Sequence, residues 1–154
     1  MITVTLPGKT QAFLRHMSNA AGLIKAYKRG IEQGFNDLGK HVVKEARDSI
    51  RNGPKTGTIY KINGRMHQAS SPGESPANLT GALASGIHYL NRGNELEYGY
   101  NSAQKYGDWL ENGSPGGKIK KRPNLKPVAL KASKEGEEFF SKHIREELSN
   151  YLGF

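Results

Sequence analysis

The chain has no cysteine, which removes disulfides and thiolate metal ligands from consideration. Hydrophobic residues fill only 35% of its 154 positions and aromatics 8%. The core is therefore modest for the length, and chains of this kind often complete their burial against copies or partners. No apolar run approaches the ~20 residues that span a bilayer, so no membrane partner is expected. The opening MITVTLPGKT lacks a basic region followed by an apolar run, so it reads as no secretory signal, and synthesis in a cytoplasm is expected. Acidic residues are outnumbered, 14 against 23 Lys and Arg, for a net charge of +9. That balance favours polyanions or acidic faces, or serves solubility alone.

Catalytic signatures are also scarce. Histidines stand at His16, His41, His67, His88 and His143; no two lie at i, i+4 and none sits in H-E-x-x-H, so a zinc hydrolase is unsupported. No nucleophile elbow, Walker loop or dinucleotide fingerprint occurs. GSPGGK lacks both the phosphate-loop spacing and a preceding strand. His143 lies on an apolar helical stripe and is expected in a core or interface. His67 and Glu74 share one polar loop and could meet as an acid–base pair of a small hydrolase or nuclease; flexible loops carry such residues by chance as well.

Glycine and proline, in contrast, are plentiful, at 19 and 7 residues. The length suits one domain over residues 1–154, with no internal repeat. Ile2, Val4 and Leu6 alternate with threonines as a short strand, and Thr10 can cap the helix that follows. Apolar residues at Phe13, Met17, Ala20, Ile24, Tyr27, Ile31, Phe35, Leu38, Val42, Ala46 and Ile50 recur at three- and four-residue steps. They predict a long helix, residues 11–51, with Gly22 as a point where it could break, stopped by Asn52-Gly53-Pro54. Gly30, Gly34 and Gly39 inside it cost about 0.8–1 kcal/mol each against alanine. Each is either a tolerated kink or a place where another backbone, from this chain or a neighbouring subunit, comes close.

Residues 54–81 then form an unusually long connection, in which TIYKI and the Asn63-Gly64 turn suggest a hairpin. Ile87 and Tyr89, with Leu96, Tyr98 and Tyr100, predict a second hairpin with one apolar face. A short helix follows, with Tyr106, Trp109 and Leu110 on one face and Gly113 as its left-handed end. Trp109 is expected to be buried against the sheet. Lys118, Lys120, Lys121 and Arg122 make a basic loop, either a solvated surface or a set of phosphate contacts; no aromatics interleave them for base stacking. Pro127 is expected to start a last helix with a stripe through Val128, Ala132, Gly136, Phe139, Phe140, His143, Leu148 and Tyr151. The class is α+β: an antiparallel sheet with a long N-terminal helix and a C-terminal helix packed on it.

Within the long connection, HQASSPGESPANLTGAL holds Pro72, Gly73 and Pro76 and has few side chains to bury. Ordering it costs about 1–2 kcal/mol per residue. Residues 54–78 are therefore expected to be mobile in the free protein and to order against a neighbouring subunit, with Leu79 and Leu83 as the first anchored positions, where the sheet begins.

Three segments in order, NLTGALASGI, YGDWLENGS and KRPNLKPVA, resemble the neck family of tailed double-stranded DNA bacteriophages, the head–tail joining, tail-completion or minor tail-component proteins. A T-G-x-L element, which opens a strand in the family, is matched by Thr80, Gly81 and Leu83. Tyr106, Leu110, Glu111, Gly113 and Ser114 match Y-x-x-x-L-E-x-G-[ST]. Arg122, Pro123, Leu125 and Pro127 match A-R-P-F-L-x-P-A, in which Lys121, Asn124 and Val128 depart from the small residue, the aromatic and the final alanine. With its leading and trailing helices, the resemblance covers nearly the whole chain. It implies a virion structural protein without catalysis or cofactor, assembled in the host cytoplasm as a homo-oligomeric ring of six copies. Its implied partners are the connector or head-completion proteins, the tail tube or tail terminator protein, and genomic DNA in the channel. Under that reading Gly30, Gly34, His67, Pro72, Glu74, Pro76, Lys118, Lys120, Lys121 and Arg122 are the assembly residues. The alternative is a nucleic-acid-binding module using the 118–122 loop and the first helix.

Overall fold

Apolar periodicity over forty residues produces one uninterrupted helix. The computed structural model describes residues 8–93, 95–101 and 106–153, with side chains of the first helix from residue 19 onward. Helix α1 spans Gly8–Asn52. It already includes Thr10, which is therefore not its cap. The expected strand at Ile2–Leu6 and the side chains of Phe13 and Met17 lie outside the described residues. At its far end the Gly53 amide donates to Ser49 O at 3.0 Å, and Pro54 prevents a further turn.

Helix α4, Leu125–Leu152, returns antiparallel along α1. The pairing runs from Gly22 beside Tyr151, through Gly30 beside Ile144 and Gly34 beside Phe140, to Leu38 beside Gly136. The helix begins two residues before Pro127, with Asn124 at its N-cap. On α1 the buried row is Ala26, Gly30, Gly34, Leu38, Val42, Ala46 and Ile50. Its constant step of four is the ridge by which helices interdigitate. This corrects the expected stripe: Ile24 and Tyr27 are 56% and 48% exposed. Among the described residues, α4 is what covers that half of α1, and it covers the smallest side chains, where the two backbones approach closely.

The other half carries the sheet. Strands β1 (Ile59–Ile62) and β2 (Arg65–Gln68) form one antiparallel pair, and β3 (Ile87–Asn91) and β4 (Leu96–Tyr100) another. Register pairs Ile87 with Tyr100 and Tyr89 with Tyr98, so the expected apolar face forms. It closes over Leu38, Val42, Ala46 and Ile50, with Val128 and Ala132 of α4 completing the cluster. Asn91 Nδ2 donates to Glu32 O and Asn36 Oδ1, both at 3.0 Å, tying β3 along α1. The fold is α+β, a long N-terminal and a C-terminal helix with small antiparallel sheets.

Two local expectations change. ALAS, expected to open a strand, is a one-turn helix α2, Ala82–Ser85: Gly81 adopts φ 83°, and the Ala82 amide donates to Thr80 Oγ1 at 3.3 Å. Leu83 is anchored as expected, whereas Leu79 is exposed. In α3, Tyr106–Asn112, Trp109 is 46% exposed and does not pin the helix to the sheet. The ring of Tyr100 lies directly on Gly107, where a Cβ would stand 2.5 Å from Tyr100 Cδ2. Gly107 and Leu110 therefore face inward, and Trp109 is turned outward.

Candidate functional site

The segments YGDWLENGS and KRPNLKPVA meet at the start of α4. The first amides of any helix have no partner within it. Here one carboxylate supplies them: Glu111 Oε2 accepts from the amides of Asn124 and Leu125, at 2.9 and 3.1 Å, and Oε1 from Lys126 at 2.8 Å. Its negative charge also suits the positive end of the helix dipole. Asn124 is 1% exposed. Its Nδ2 donates to Ala46 O at 3.1 Å, and its Oδ1 accepts from Ser75 Oγ at 3.0 Å. Asn124 is thus a buried polar hub between α1 and the 70–76 segment.

Arg122 belongs to the same junction. Its amide donates to Leu110 O, Nε to Ser70 O at 3.1 Å, and Nη1 to Lys120 O at 3.1 Å. It holds loops together, which leaves Lys118, Lys120 and Lys121 as the exposed cations of this loop.

These bonds correct the expectation that residues 67–78 find nothing to offset their ordering within one subunit. The Gly73 amide donates to Lys121 O at 2.9 Å. Ser70 and Pro76 are buried, whereas Pro72 is exposed. Glu74 accepts from Thr56 Oγ1 at 2.6 Å, the Thr56 amide at 3.0 Å and the Ser71 amide at 2.7 Å. The Thr56 hydroxyl, then the Ser71 and Thr56 amides, hold its carboxyl below the usual range. His67 lies elsewhere, on β2 with its ring 5.6 Å from that of Tyr60, so the two loop residues have separate partners and form no acid–base pair.

Gly30 and Gly34 are places of close approach within this chain. A Cβ on Gly30 would stand 2.6 Å from Ile144 Cα, and one on Gly34 2.5 Å from Phe140 Cδ1. Flanking this seam, His143 Nε2 lies 2.9 Å from Asp37 Oδ2, and His41 Nε2 lies 3.2 Å from Glu135 Oε2. Lys40 first, and His143 second, hold the Asp37 carboxyl low. His143 is thus the helix-interface histidine its stripe position suggested. Among the described residues no group of three or more histidines and carboxylates is placed to hold a metal ion. Among them, too, no helix is long and apolar enough to cross a membrane.

Sequence reasoning missed the surface of the β1–β2 hairpin. Asn63 and Gly64 turn it at φ 48° and 81°, as the Asn-Gly pair demands. Met66 is 70% exposed and Ile59 55%, with Tyr60 also open. The available signal was the poor alternation: apolar and cationic residues share both faces, which is not the pattern of a strand with one side in a core. A hollow of about 600 Å³ separates this hairpin from Asn78–Thr80. No family model, curated protein or solved structure matches the chain.

Proposed function

We propose that this chain is a structural subunit of a bacteriophage neck, joining head to tail or completing the tail as a ring between the portal side and the tail tube. It does so without catalysis. The observation that carries the reading is the β1–β2 hairpin. Its principal contacts are between its own two strands, yet it displays Ile59, Tyr60 and Met66. A two-stranded hairpin alone is marginal in water, and Ile59 and Met66, open on one face with Tyr60 on the other, mark a surface that another protein covers. The hairpin is the assembly arm, in place of the whole 54–78 segment, because residues 69–76 are held by their own domain. Head-to-tail contacts of this kind close into rings when the rotation permits.

The test is native mass spectrometry of the full chain, alone and with candidate connector and tail-tube proteins. A ring-sized oligomer is expected, and Ile59→Ser/Met66→Ser should abolish it. The same variant should keep its helical circular dichroism, because exposed substitutions shift stability by under ~0.5 kcal/mol. A chain that stays monomeric with every candidate partner, or a variant that still assembles, would count against this function.

A further inference from the structure

Away from the hairpin and the 118–122 loop, α1 and β3 enclose a hollow of about 480 Å³. Its floor is one face of α1. Lys40, Lys44, Arg47 and Arg51 follow at steps of four, three and four, so they share that face over ~16 Å of helix. His88 of β3 forms the opposite wall, and Asp48 is the one carboxylate in the lining. We infer that this groove is a contact surface for the phosphate backbone of duplex nucleic acid, a site independent of the ring reading and of the basic loop.

The chemistry of the groove selects that occupant. Arg47 is locked: Nε donates to Ala84 O at 3.1 Å and Nη2 to Ile87 O at 2.7 Å. It fixes the groove wall and keeps its charge in place without spending Nη1 on those bonds. Lys40 and Lys44 are exposed. They lean on Asp37 at 2.8 Å and Asp48 at 3.5 Å, surface pairs of the weak kind that a phosphate can displace. A row of ~16 Å is far longer than one phosphate group needs and suits a repeating anion. Tyr89, the one Phe, Tyr or Trp in the lining, offers no free face for base stacking. The Tyr89 ring is pressed on Gly39, where a Cβ would stand 2.3 Å from Tyr89 Cδ2. Without a stacking platform a single strand gains little, whereas a duplex presents its phosphates outward and needs none.

The experiment compares two charge-matched variants of the full chain, Lys44→Gln/Arg51→Gln in the groove and Lys120→Gln/Lys121→Gln in the basic loop. Binding to a short fluorescent DNA duplex is followed by anisotropy across a salt series, with circular dichroism as the fold control. The native chain should bind with a salt-dependent affinity. The groove variant should lose at least about tenfold, and its slope of log K against log salt should fall by nearly one for each cation removed. The loop variant should lose clearly less. Absence of duplex binding by the native chain would overturn the inference. So would equal losses in the two variants, which would mean net charge alone acts, or poly-glutamate competing as well as DNA, which would assign the groove to an acidic protein.

Discussion

Gly30 shows how a single hydrogen atom in place of a side chain shapes this molecule. A glycine in a helix sacrifices about 0.8–1 kcal/mol against alanine, and on propensity alone Gly30→Ala should stabilise. The Cβ would, however, stand 2.6 Å from Ile144 Cα and 2.8 Å from Ile144 N, backbone atoms that move only if the helices part. Overpacking of this kind costs about 1–3 kcal/mol, so the variant should be destabilised on balance. Gly22→Ala is the internal control. There the Cβ meets the phenol end of Tyr151, an exposed side chain that can swing aside, and a gain of up to about 1 kcal/mol is expected. Urea unfolding of the two variants should move the midpoints in opposite directions. If both rise, the helix seam is looser than described. Asn124 makes the complementary point, since its buried amide would leave Ala46 O and Ser75 Oγ without their partner if truncated.

Among the elements, the connection between α1 and α2 departs most from expectation. Composition described a polar, proline-broken segment with no core, and that description is accurate for its side chains. Its order comes from Glu74, which accepts from the Thr56 hydroxyl and two main-chain amides, and from bonds to the 121–124 segment. Glu74 is depressed below its ordinary value of 4.5, by the Thr56 hydroxyl first and the two amides next. A carboxylate whose folded value is lowered contributes stability that is complete above its unfolded value and disappears as pH falls through the folded one. Hydrogen-exchange protection at the Thr56 and Ser71 amides should therefore be steady near neutrality and decline as pH falls below the ordinary glutamate value of 4.5 toward the lower folded one. Glu74→Gln should remove that dependence. Protection that persists unchanged in acid would show that the loop is held by something other than this acceptor.

For the whole molecule, the core is off-centre. Among the described residues, the β3–β4 sheet covers the C-terminal half of α1 and reaches back to Glu32, and beyond that the helix is covered by α4. Ile24 and Tyr27 consequently remain outside, and Ile59, Met66 and Trp109 are exposed on the hairpin and on α3. Trp109, the only tryptophan, reports how α3 is seated. Its emission in the free chain should be that of a hydrated indole. Trp109→Ala should cost about 1 kcal/mol, not the 3–5 kcal/mol of a fully buried aromatic. A blue emission with a large loss would mean that α3 is seated on the sheet by its tryptophan after all.

The sequence by itself determined the features that repeat locally. The long helix follows from steps of three and four, the β3–β4 hairpin from period-two alternation, and the Asn63-Gly64 turn from backbone angles few other residues accept. Gly113, at φ 86° past α3, was legible for the same reason. Only the tertiary structure decided which face of α1 is buried. Periodicity reports where apolar residues are, whereas the approach of two helices selects where side chains are small, and here those rows differ. The same holds for the junction at α4: Glu111 and Asn124 lie thirteen positions apart, and Asn124 and Ala46 seventy-eight. No local pattern links a carboxylate to the helix end it caps, because that bond exists only once packing brings the two segments together.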